Sequence, residues 1–159
     1  MSSAETAVEP VRRAITVNRP VEDAFRVFTD GIASWWPLES HSIEAMDTDG
    51  ARVPETVVLE PCAGGRLYER SSTGDDGYWG TIIHWEPPHR VVIEWKVNPD
   101  AAAPTEIDVR FAAEGDGTRV ELEHRGWERL GASAAEARAS YAGGWATVFG
   151  AYERVANAG

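Results

Sequence analysis

The sequence predicts an α+β fold in which a seven-stranded antiparallel sheet is covered by a long C-terminal helix. Three observations carry this. Six consecutive segments between residues 55 and 125 are strand-like and joined by short turns, the pattern of an antiparallel meander. One further β-prone segment, VRRAITVN at residues 11–18, precedes two short helical stretches. Residues 133–156 then hold Tyr141, Trp145, Phe149 and Tyr152 on one helical face. A sheet with one apolar face needs such a cover.

The elements follow in order. Pro20 opens a helix at a position where its missing N–H costs nothing. Val21, Ala24, Phe25 and Phe28 form its apolar face, and Gly31 suits its end. A second helical turn, IASWW, stops before Pro37. Residues 38–54 show no period; a loop of that length is often functional. With His41 it reads either as a lid over a pocket mouth or as ordinary surface. The six strands are ETVVLEP, GGRLYERS, GYWGTIIHWE, RVVIEWKVN, TEIDVRFAAE and TRVELEHR. The separators STGDDG, PP, PDAAAP and EGDG are turn chemistry. Ser133 and Glu136 form a capping-box pattern at the start of the last helix, which would be roughly 36 Å long. Gly143-Gly144 in its middle marks a close backbone approach or a kink.

Side chains alternate along a strand, so each strand declares its faces. Val91, Ile93, Trp95 and Val97 share one side, as do Ile107, Val109 and Phe111, and Val120, Leu122 and His124. The opposite side is charged and wet. In GYWGTIIHWE the inner set is Trp79, Thr81, Ile83 and Trp85. Glu69 shares parity with Leu67, so two polar groups, Glu69 and His124, fall on the inner side. Buried polar groups need partners or water and are more informative than buried apolar ones. They read as a hydrogen-bonded structural pair, as anchors for a ligand's polar end, or as an acid–base pair. The tryptophans serve a core as well as a ligand site, but a cavity changes the balance. A dry void of ~300 Å³ would cost about 7 kcal/mol, against a net stability of about 5–15 kcal/mol. A sizeable pocket must therefore be wet or filled, and Glu69 and His124 could hold that water.

Composition excludes several classes. At 159 residues the chain is expected to be one domain over 10–157 with a flexible arm at 1–9. No run approaches the ~20 apolar residues of a membrane span, and the start MSSAETAVEP is no signal peptide. The single cysteine, Cys62, fits a reducing, cytoplasmic location and lacks a cysteine partner. A net charge of −11 repels phosphate backbones, so no nucleic-acid partner is expected. DTDGARVPE echoes a calcium loop, but Ala45 and Thr56 fall where end ligands belong. No phosphate loop, dinucleotide fingerprint or nucleophile elbow is present. The spacing of His41, His124 and Glu69 does not support a metal site. No cofactor and no metal are expected.

WWPLESHSI, GGRLYER, GYWGTIIHWEPPHRVVIEW, TRVELEHRGWERLG and GGWATVFGAYE resemble the bacterial SRPBCC (START-like) proteins. The nearer resemblance is to the branch named after the C-terminal domain of heat-shock-protein-90 ATPase activators, over residues 10 to 157. It implies a helix-grip fold, with a curved sheet wrapped around the C-terminal helix and a cavity between them. Relatives use that cavity for lipids, hormones, polyketides or other hydrophobic molecules, and some are aromatase/cyclases. Positions matching the family's motifs are His41, Glu69, Trp79, Trp85, Trp95, His124 and Trp145. With the inward-facing apolar residues, the candidate ligand-binding set is Trp36, His41, Glu69, Trp79, Ile83, Trp85, Trp95, Phe111, Leu122, His124, Trp145 and Phe149. The expected function is binding of a small hydrophobic or amphipathic molecule; a homodimer is compatible, and no membrane partner is expected. The alternatives are a cyclase or hydro-lyase-like enzyme using His124 or Glu69 as acid–base, and a chaperone-associated interaction module.

Overall fold

The computed structural model of the protein describes residues 8–98, 101 and 103–158. The arm expected over 1–9 lies, through residue 7, outside the described residues. Strand β1 (Val11–Val17) leads into α1 (Val21–Phe28), a 3-10 turn (Ile32–Ser34) and a short helix α2 (Ile43–Asp47). The meander follows: β2 (Thr56–Leu59), β3 (Arg66–Arg70), β4 (Asp76–Glu86), β5 (Arg90–Trp95), β6 (Thr105–Glu114) and β7 (Gly117–Arg125). A second 3-10 segment (Trp127–Ser133) runs into α3 (Ala134–Ala158). The sheet order is β1-β7-β6-β5-β4-β3-β2, antiparallel throughout. It is a curled half-barrel holding the long helix, the expected helix-grip α+β fold. Among the described residues no helix is long and apolar enough to cross a membrane.

Helix α1 starts after Pro20 and buries Ala24, Phe25 and Phe28, the face its spacing predicts. Its last i→i−4 bond runs from the Thr29 N–H to the Phe25 carbonyl at 3.0 Å, and it ends where the Gly31 N–H turns back to the Arg26 carbonyl at 3.0 Å. Phe25 and Phe28 pack on Phe111 with ring centroids 5.2 and 5.7 Å apart. One end of the sheet is thereby closed.

Strand β4 departs from simple alternation. Its register against β3 steps from Leu67↔Gly80 to Tyr68↔Tyr78, and against β5 from Ile82↔Ile93 to His84↔Val92. Each step leaves an extra residue on β4, and each bulge flips the parity. Two flips cancel. Trp79 and Trp85 both lie on the inner side as expected, but between them Ile82 is fully buried and Ile83 is displaced to a half-buried position. Gly80 is required at the first bulge, where a Cβ would stand 2.4 Å from the Glu94 carbonyl oxygen.

Three further expectations are corrected. Residues 38–54 contain α2, whose N-terminus is capped by Ser42 accepting from the Ala45 N–H at 3.1 Å. The capping box is replaced by a 3-10 segment, in which Ser133 is the last residue. Helix α3 passes Gly143 and Gly144 without interruption. A Cβ on Gly143 would meet nothing within 4 Å, so no close backbone approach requires it.

The wet face of the sheet is not uniformly wet. Asp108 is only 2% exposed because Arg90, Arg110 and Arg125 close over it. Burial alone would raise its pKa. The hydrogen bonds from Arg90, Arg125 and Arg110 overcome that and hold its carboxyl well below the usual range.

Candidate functional site

Away from the end closed by α1, the sheet and α3 do not meet. A cavity of about 720 Å³ remains between β4, β5, α2, the second 3-10 segment and α3. Five of the seven tryptophans line it: Trp36, Trp79, Trp95, Trp127 and Trp145. Trp36 packs against Trp79, Trp145 and Trp95 at centroid distances of 4.9, 6.0 and 6.2 Å. None of the five indole N–H groups is left for a ligand. Trp36 donates to the His41 carbonyl at 2.7 Å, Trp79 to Glu69 at 2.7 Å, and Trp95 to the Tyr141 hydroxyl at 2.9 Å. Trp127 donates to the His124 carbonyl and Trp145 to His124 Nδ1, each at 2.9 Å. The indoles therefore contribute apolar surface to the wall, while their polar atoms hold the scaffold together.

Glu69 stands one layer behind the wall. Its carboxylate accepts from the backbone N–H groups of Ile43 (2.7 Å) and Glu44 (3.0 Å) as well as from Trp79. It thus satisfies the exposed donors of the first turn of α2. Gly77 makes room for it, since a Cβ there would lie 3.0 Å from Glu69 Cγ. Glu44 accepts from the Ser72 N–H and hydroxyl, tying α2 to the β3–β4 turn as well. So strapped, α2 carries Ile43 and Met46 to the cavity.

His124 is completely buried, and its protonation follows from its neighbours. An indole N–H can only donate, so Nδ1, which receives it from Trp145, must carry a lone pair. The proton of the neutral ring is then on Nε2 and is donated to Thr105 Oγ1 at 2.7 Å. Burial pushes the imidazole pKa down to about 3, which keeps the ring in that neutral tautomer. Both nitrogens are engaged, so the geometry leaves neither a free lone pair nor a free proton for acid–base work. His41 is placed differently. Its Nδ1 lies 2.7 Å from Ser40 Oγ, and its ring faces Gly144 across the cavity wall.

The structure divides the twelve candidate residues. Trp36, His41, Trp79, Trp95 and Trp145 line the cavity. Glu69 and His124 buttress the wall from behind, each with its own partners and not as a pair. Trp85 and Phe111 pack on Phe25 at the closed end of the sheet. Leu122 and Phe149 belong to the general core, and Ile83 lies outside the wall. Sequence reasoning missed Trp127, Thr105 and Tyr141, which do line it. Trp127 enters because Gly126 turns the chain with φ +94° directly after β7. Thr105 is the cross-strand neighbour of Trp95, a pairing that turn lengths alone do not reveal.

The model of the AHSA1 family, the activator of Hsp90 ATPase homolog 1-like proteins, matches residues 18–152. The chain belongs to the AHSA1 family. Its fold is similar to that of the anthrahydroquino-γ-pyrone synthase Txn09 complexed with SUM. That match has 32% identity and a TM-score of 0.62 over 94% of this chain and 98% of the other. It is also similar to CalC, a self-sacrificing resistance protein from Micromonospora echinospora. Identity there is 28% and the TM-score 0.66, over 93% of this chain and 94% of that one. The Aha1 dimer from Colwellia psychrerythraea shares the AHSA1 fold at 16% identity and a TM-score of 0.65, over 96% and 98% of the two chains. No curated protein matches the chain.

Proposed function

We propose that the protein binds a small, flat, predominantly apolar molecule in the cavity between sheet and C-terminal helix. The observation that carries this reading is the space itself, about 720 Å³ walled by five indoles whose N–H groups are all engaged elsewhere. The space is open to solvent on one side, so it is a wet pocket with an apolar lining, and covering that lining with an apolar guest removes it from water at about 25 cal/mol per Å². Water fills the space at rest, and an apolar guest releases it. The test is a titration of intrinsic tryptophan fluorescence, paired with thermal shift, against polycyclic aromatic compounds. Saturable quenching and a raised melting temperature are expected for a subset. If every compound leaves both signals unchanged, the reading falls.

A second reading, turnover of that guest, is favoured by one observation. The relative with 32% identity over nearly the whole chain is a synthase. In this reading His41 at the wall is the proton-transfer group, since the nitrogens of His124 are engaged. His41→Ala would abolish product formation followed by mass spectrometry while leaving the fluorescence titration intact. The chaperone-associated reading has its support in the family's name.

A further inference from the structure

The polar part of the wall narrows the chemistry of the guest. A hydroxyl has one proton and two lone pairs. Tyr141 Oη accepts from the Trp95 indole, a group that cannot accept, so this contact leaves the phenol proton unused. Thr105 Oγ1 accepts the Nε2 proton of His124, because Trp145 fixes the tautomer, and its own proton is likewise unused. Among the described residues, no acceptor is hydrogen-bonded to either proton. Both residues line the cavity and share neighbours: Thr105 lies across from Trp95 in the sheet, and the rings of Tyr141 and His124 are 5.0 Å apart. Burial raises the Tyr141 pKa above its ordinary value, the Trp95 bond opposing this, so the phenol keeps its proton near neutral pH.

We infer that the cavity selects, among flat apolar molecules, those bearing a neutral carbonyl-type oxygen that accepts the hydroxyl protons of Tyr141 and Thr105. This rests on the ligand-binding reading above and specifies it. The Trp95 and His124 bonds polarise the two hydroxyls, and because both residues line the cavity, each has a proton free to rotate towards a guest held there. Leaving such donors unmatched under an apolar guest is costly, whereas a ketone or quinone oxygen replaces the water it displaces. At these two neutral donors a carboxylate would lose more hydration than they restore, and Lys96, the cation that also lines the cavity, is the group that stronger carboxylate binding would report.

Three tricyclic probes of nearly the same shape test this: fluorene, 9-fluorenone and fluorene-9-carboxylate. Fluorenone is expected to bind about five- to tenfold more tightly than fluorene, and the carboxylate less tightly than fluorenone. The infrared carbonyl stretch of bound fluorenone should lie below its value in hexane. In Tyr141→Phe the preference shrinks towards parity and the stretch moves back up, while fluorene affinity holds. Trp95→Phe, which keeps the phenol but removes the bond that polarises it, weakens the preference without abolishing it. Equal affinities for fluorene and fluorenone, stronger binding of the carboxylate, or an unchanged preference in Tyr141→Phe would overturn the carbonyl assignment and leave the ligand site standing. Failure of all three probes to bind would remove the site and the assignment together.

Discussion

His124 shows how much a single residue's environment decides. Alternation along its strand places it inside, but its role comes from Thr105 and Trp145, 19 and 21 residues away, which fix the tautomer. Those partners lie on another strand and on the final helix, so the sequence could mark His124 as a buried polar group and no more. The burial has a measurable consequence. The folded-state pKa of about 3 lies below the ordinary value of 6.5. As pH falls, the unfolded chain takes up the proton first. The stability linked to His124 is therefore complete above pH ~6.5 and is lost progressively as pH drops towards 3. Between pH 7 and pH 5, before most carboxylates titrate, the loss should be roughly 2 kcal/mol at ~1.4 kcal/mol per pH unit. Urea unfolding at the two pH values measures it. His124→Gln, which cannot titrate, should remove that component; an identical pH dependence in the variant would show that His124 is already protonated or exposed.

At the scale of elements, the strands and the two longer helices were legible because their hydrophobic patterns persist over several residues. The five residues of α2 are too few to show a period, and their stability is borrowed from Ser42 within the segment and Glu69 outside it. The β4 bulges were illegible for another reason: they cancel, so both tryptophans come out on the expected side and only Ile82 and Ile83 exchange places. Two predictions belong here. Glu69→Gln turns one acceptor oxygen into a donor facing N–H groups, and should cost about 1–3 kcal/mol. It should also speed amide exchange at Ile43, Glu44 and Ala45 ahead of the sheet; uniform exchange would mean that Glu69 does not hold α2. Gly143→Ala adds a methyl group where nothing stands within 4 Å, in the interior of a 25-residue helix. Chemical denaturation should show a gain of about 0.5–1 kcal/mol, and a loss would reveal a neighbour that the helix does not show.

At the scale of the whole molecule, alternation tells which face of the sheet a residue occupies and says nothing about which end. Trp85 and Phe111 share the inner face with Trp79 and Trp95, yet α1 covers their end with Phe25 and Phe28 and leaves the other end open. That asymmetry is a property of how α1 and α3 divide the concave surface, and it separates core from cavity. Gly144 tests it directly, since it sits on α3 at the open end. A Cβ there would meet only His41, at 3.9 Å, which is ordinary contact. Gly144→Leu should therefore place its Cβ without strain, gain about 0.5–1 kcal/mol from replacing a helical glycine, and project the rest of its side chain into the cavity that Gly144 lines. Affinity for fluorenone should fall at least about tenfold, the ~1.4 kcal/mol expected when a guest must shed a few methylene-sized contacts. The two readouts must move in opposite directions. A destabilised Gly144→Leu would show that the space is already occupied by protein, and a stable variant with undiminished affinity would place the guest somewhere other than between sheet and helix.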